Sequence, residues 1–221
     1  MIPIKDSEPS GIFPLATISI VIICAIILFN EMSQVNLEEF VFKWALVPSL
    51  IDFSNFSTLY PFVTSIFLHG GFLHFLSNMW FLLIFGDNVE ASLGTIKYII
   101  FFLLAGIFAS FVQFLFLVGS NVPILGASGA IAGVLGFYMV AFPKNKVDTL
   151  IPYIGLITTI RLPAQAVLLM WFVTQLFNGT AGFISETSAT SGIAWWAHIG
   201  GFIFGAFIGL LHGNSKRSFN V

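Results

Sequence analysis

Charge is what this chain has least of. It carries 8 Lys and Arg and 10 Asp and Glu in 221 residues, so 8% are charged where a soluble domain has about 25%. That deficit excludes a water-soluble globular domain. Cysteine is almost absent too: Cys24 stands alone in an apolar run, which excludes a disulfide framework and a thiolate metal site. A net charge of −2 leaves no basic surface for nucleic acid. No small-residue cleavage site follows the first apolar run, so that run reads as a retained span rather than a signal peptide. What is present is grease: 57% of residues are hydrophobic and the mean hydropathy is +0.99. The chain reads as one all-α, polytopic membrane domain.

Residues 1–10 are polar and read as a frayed tail. Residues 12–29 are nearly long enough to cross a hydrocarbon core of about 30 Å. From 30 to 67 the charges Glu31, Glu38, Glu39, Lys43 and Asp52 alternate with Phe40, Phe42, Trp44 and Phe56, a mixture that fits a long interfacial loop lying on the bilayer. Further spans are expected at 71–85, 96–118, 127–142, 163–177 and 193–211, with a charged connector over 144–162 and a small-residue loop over 178–192. The predicted architecture is a six-helix membrane-embedded domain over 11–212, with polar tails at 1–10 and 213–221.

Basic residues orient these spans. Lys5, Lys97, Lys144, Lys146, Arg161, Lys216 and Arg217 fall on one side if both termini are cytoplasmic, and Lys43 alone falls on the other. With that topology, Ser128 lies about 24 Å above the inner boundary, and His74 and His198 about 20 Å above it, at 1.5 Å per residue. Polar residues at one depth on separate membrane helices point to a site. Small residues mark the same faces. His198, Gly201, Gly205 and Gly209 share a stripe on the sixth span, as do Ser128, Ala132 and Gly136 on the fourth. Either stripe alone reads as an ordinary packing face; their coincidence with Ser128 and His198 is what favours chemistry.

A serine hydroxyl becomes a useful nucleophile when a base takes its proton, and imidazole suits that task. All ten acidic residues lie in loops or at span ends. The prediction is therefore a Ser128–His198 dyad without a carboxylate, its imidazole oriented by packing and backbone contacts. Oxyanion donors are expected from the backbone near Ala127 and Ser128, in the first turn of a helix, and from His74 and Asn78, which share a face at i, i+4. A metal held by His69, His74 and His198 is a minor alternative, because the spacing matches no standard site. The aromatic fifth span, with Trp171, Phe172 and Phe177, reads as lipid-facing bulk.

Three stretches resemble the rhomboid family of intramembrane serine proteases. They are Gly126-Ala127-Ser128-Gly129, Ala197-His198-Ile199-Gly200-Gly201 with Gly205, and the run from His69-Gly70-Gly71 through His74 to Asn78. Gly86-Asp87-Asn88-Val89-Glu90 through Leu93-Gly94 resembles the family's turn after its second helix, and the likeness spans about 44–209. The resemblance implies a six-helix core that hydrolyses peptide bonds of single-span membrane proteins near the outer face. It implies Ser128 as nucleophile, His198 as general base and acid, and His74 and Asn78 as oxyanion donors. It implies no cofactor, whether metal or ATP, and a gate and cap within about 163–192. One departure stands out: Ala132 occupies the position where some members stack an aromatic ring on the histidine. A non-catalytic protein binding membrane clients through the same groove is the alternative. A transporter is disfavoured, because the inner half of the helices is apolar. No long presequence precedes the first span, so a prokaryotic plasma membrane is the expected location.

Overall fold

The computed structural model describes residues 2–153, 156–184 and 194–218. The described residues form eight α-helices: α1 Leu15–Met32, α2 Leu37–Trp44, α3 Pro61–Thr64, α4 Phe72–Leu93, α5 Thr95–Phe116, α6 Ser128–Ala141, α7 Ala164–Ile184 and α8 Trp195–Ser218. Among the described residues, α1, α5 and α8 are each long and apolar enough to cross a membrane. A fourth such span arises if α4 is joined to the bent segment before it, the two meeting at 77°. Helix α6 is shorter, 14 residues or about 21 Å. Large apolar side chains are exposed around the outside of these helices, among them Ile26, Phe29, Leu83, Ile100, Ile203 and Phe207. In water such a belt would aggregate; a bilayer covers it.

The centre is built by α6 against α8, the most extensive helix pairing in the molecule. Glycine makes it possible. A Cβ at Gly201 would run into the carbonyl oxygen of Gly129, and one at Gly205 into that of Gly133. On α6, Gly129 and Gly133 also lie against Ala109 and Ala105 of α5, each 2.6 Å from where a Cβ would sit. Backbones in direct contact replace the hydrophobic drive that lipid cannot supply. Phe85, Phe102, Leu135, Phe137 and Tyr138 fill the core around them.

The fold is not purely helical. A three-stranded antiparallel sheet, ordered β1-β2-β3, joins β1 Ile2–Asp6, β2 Lys146–Tyr153 and β3 Leu156–Pro163. Much of the polar tail expected to fray is thus a strand, and the charged connector is a hairpin. The signal was alternation: Val147 and Thr149 are buried while Lys146 is exposed, the period of a half-buried strand. The sheet is tied to the helices. Trp80 Nε1 donates to the Pro3 carbonyl at 2.7 Å, and Asp6 accepts from Asn88 Nδ2 at 2.6 Å and from the Tyr138 hydroxyl.

Helix ends also differ from expectation. Gly86-Asp87-Asn88 does not stop α4, which runs on to Leu93. Gly86 is there for space, because a Cβ would meet the Tyr98 hydroxyl at 2.8 Å and the Thr17 side chain at 3.0 Å. One turn later Glu90 accepts from the backbone N–H groups of Ala16 and Thr17 at 2.8 and 2.9 Å. It caps the first turn of α1, which has no side-chain cap of its own, by accepting two of that turn's unpaired N–H groups. Likewise α7 continues past Phe177 to Ile184, and α8 continues to Ser218 through much of the expected polar tail. The rest of the predicted 178–192 loop, residues 185–192, lies outside the described residues. The 33–71 segment is partly helical, and a Leu46–Ile124 backbone bridge pins it to the entry of α6.

Candidate active site

Ser128 opens α6 with Ala127 as its N-cap residue, so the hydroxyl sits in the first turn, where backbone N–H groups lack intrahelical acceptors. His198 lies in the first turn of α8, whose start is fixed from α5: Gln113 Oε1 accepts the Ala197 N–H at 3.1 Å. The glycine contacts between α6 and α8 then close the gap. Ser128 Oγ and His198 Nε2 are 2.8 Å apart, and His198 is only 9% exposed. A hydroxyl and an imidazole in that arrangement, shielded from bulk water, can exchange a proton.

The imidazole is not oriented by packing and backbone contacts alone, as expected. Its Nδ1 lies 2.8 Å from Gln175 Oε1 of α7. Two indoles flank the ring, Trp171 at 5.8 Å and Trp195 at 6.0 Å between centroids. Trp171 is therefore part of the site and not lipid-facing bulk, whereas Phe177 is 71% exposed. The support that Ala132 cannot give comes from α7 instead. Gln113 and Gln175 both escaped the sequence reading. Their signal was chemical: an amide inside an apolar span must find a partner, so each marks a packed polar contact.

His74 faces the same place from α4. Gly126 has φ +123, a backbone conformation side chains rarely adopt, and the space a Cβ would take there is 3.0 Å from His74 Nε2 and 3.7 Å from Ser128 Oγ. The missing side chain leaves a notch bounded by both groups. His74 Nδ1 faces the Gly70 N–H at 3.4 Å, which leaves Nε2 to carry the proton in the neutral ring. One turn on, Asn78 is 7% exposed and its Nδ2 has no partner among the described residues. His69 packs edge-on to His74 at 5.4 Å and donates its backbone N–H to the buried Glu31 carboxylate at 3.1 Å. Ser128 also lines a small cavity with Ser65, Ser110, Gly126, Ala194 and Ala197.

Comparison with known proteins matches residues 57–215 to the Rhomboid domain. The chain belongs to the rhomboid family. Among similar proteins, the rhomboid chain here is 37% identical over 99 residues to rhomboid-like protein 11, chloroplastic, of Arabidopsis thaliana (45% of this chain, 35% of that protein). It is 24% identical over 195 residues to rhomboid-like protein 5 of the same plant (84% and 57%). It is 30% identical over 156 residues to presenilin-associated rhomboid-like protein A, mitochondrial, of Danio rerio (69% and 37%). The chain thus spans only part of each relative's length. The plastid and mitochondrial names correct the expected prokaryotic plasma membrane: these relatives point to organelle membranes, and what stands is an integral membrane protein.

Proposed function

We propose that this rhomboid is an intramembrane serine endopeptidase that cleaves single-span membrane proteins at the bilayer face remote from its chain termini. The observation that carries the reading is the 2.8 Å contact between Ser128 Oγ and His198 Nε2. Ser128 Oγ attacks the scissile carbonyl carbon while its proton passes to His198 Nε2, and the carbonyl electron pair moves onto oxygen. His74 Nε2–H, the free Asn78 Nδ2 and the backbone N–H groups at Ala127 and Ser128 are the proposed donors to that oxyanion. His198 then gives its proton to the leaving amine as the C–N bond breaks, leaving an acyl-serine. Water attacks the ester, returning its proton through His198 to Ser128. The hydroxyls of Ser65 and Ser110 make the adjoining cavity polar enough to hold that water. Six membrane spans are part of this reading, with α6 and α7 crossing beside the longer apolar helices.

Purified protein incubated with a generic single-span substrate tests it. Wild type should generate new termini, and Ser128→Ala and His198→Ala should abolish them while substrate capture persists. A second reading has a specific basis: one relative, 26% identical over 145 residues, is named inactive rhomboid-like protein 8. Wild-type capture of substrate without cleavage would favour that non-catalytic role.

A further inference from the structure

We infer that Gln175 is the third member of the site, a neutral positioning residue that fixes the proton of His198 on Nδ1 and so leaves Nε2 free to accept from Ser128. This rests on the proteolytic reading of Ser128 and His198 and adds to it the residue that sets which tautomer is present.

The assignment follows from what each partner can do. The Gln175 amide has an oxygen that only accepts and a nitrogen that only donates. Its Nε2 lies 3.0 Å from the Trp171 carbonyl oxygen, which can only accept, so the nitrogen belongs at that end. The Thr174 hydroxyl, also 3.0 Å from Nε2, spends its own proton on the same carbonyl at 2.6 Å and so offers Nε2 a lone pair. With the amide nitrogen held there, Oε1 must face His198 Nδ1, 2.8 Å away. An acceptor at that distance requires Nδ1–H. In a neutral ring the other nitrogen then carries the lone pair, and that nitrogen is the one 2.8 Å from Ser128 Oγ. Flipping the amide would set Oε1 against the Trp171 carbonyl oxygen, two acceptors with no proton between them. Gln175 is 5% exposed, so its amide is satisfied mainly by these protein partners. When Ser128 gives up its proton, both imidazolium N–H groups have oxygen partners already in place. A neutral amide orients the ring without burying a carboxylate in the bilayer, where an unpaired charge is costly.

Nitrogen NMR of the four histidines in the full-length protein in detergent, with His198 assigned from the spectrum lost in His198→Ala, reads the tautomer directly. Wild type should show His198 protonated on Nδ1. Gln175→Leu, which keeps bulk but accepts nothing, should give a mixture of tautomers, and kcat should fall on the order of 10- to 100-fold with KM little changed. Gln175→Glu, which keeps an acceptor oxygen at the same reach, should retain the Nδ1-protonated form. An Nε2-protonated His198 in wild type, or an unchanged tautomer and kcat in Gln175→Leu, would overturn the assignment. So would a tautomer mixture in Gln175→Glu equal to that in Gln175→Leu. The spectrum needs no turnover. A wild-type protein that holds His198 Nδ1-protonated yet cleaves nothing would defeat the proteolytic reading and leave the tautomer assignment standing.

Discussion

Asn78 has a buried amide nitrogen with no acceptor among the described residues, a state that costs roughly 1–3 kcal/mol unless something uses it. An oxyanion formed beside Ser128 is the proposed use, and the arrangement separates ground state from transition state: the donor is idle until charge appears. Asn78→Ala should therefore lower kcat by about 10²- to 10³-fold, the scale for removing one oxyanion donor, with little change in KM. Equal effects on KM and kcat, or none, would assign Asn78 to packing. His198 differs in kind. Its two nitrogens are both engaged, by Ser128 and Gln175, so its role depends on direction as much as on basicity.

At the scale of helices, the site depends on how closely α6 and α8 approach. Ser128 and His198 each stand in the first turn of their helix, so a shift of one helix along or away from the other moves them apart directly. Gly205→Ala puts a methyl group into the Gly133 carbonyl, backbone against backbone, where no side chain can swing aside. Overpacking of this kind costs about 1–3 kcal/mol, and here the strain is relieved most simply by separating the helices. Gly205→Ala should lower the thermal midpoint in detergent and also reduce labelling of Ser128 by a serine-directed fluorophosphonate. A variant that labels like wild type would show that the pair tolerates a wider spacing. Gly209→Ala should be milder, since its nearest neighbours lie at 3.1 to 3.3 Å.

Across the whole molecule, the end opposite the site is fastened by the sheet. Strand β1 pairs with β2, and Asp6 reaches from β1 to Tyr138 on α6 and Asn88 on α4. Burial raises the Asp6 pKa above the ordinary 3.8, outweighing the hydrogen bonds that lower it. The fold therefore favours the neutral acid. Its contribution to stability is whole below pH 3.8 and is lost as pH climbs through the raised value. In detergent, the thermal midpoint of wild type should fall over that rise in pH relative to Asp6→Asn, which has no proton to lose there. Parallel curves for the two proteins would show that Asp6 titrates alike in the folded and unfolded chain.

The apolar spans, the glycine stripes and the Ser128 and His198 motifs were all legible in the amino-acid order. Each is a local property: hydropathy within one segment, or small residues repeating on one helix face. The sheet was not legible there, because its charges mask a short alternation and because β1 and β2 lie about 140 residues apart. Gln175 was missed for a related reason. A lone glutamine in a greasy helix announces that it needs a partner, but nothing in its own neighbourhood names His198, 23 residues on. The sequence by itself determined a membrane-embedded helical protein and the residue types available for chemistry. Only the tertiary structure decided which nitrogen of His198 faces Ser128, which helix holds that ring, and how the first strand closes the far end. Those are relations between segments remote in the chain, and they are set by packing.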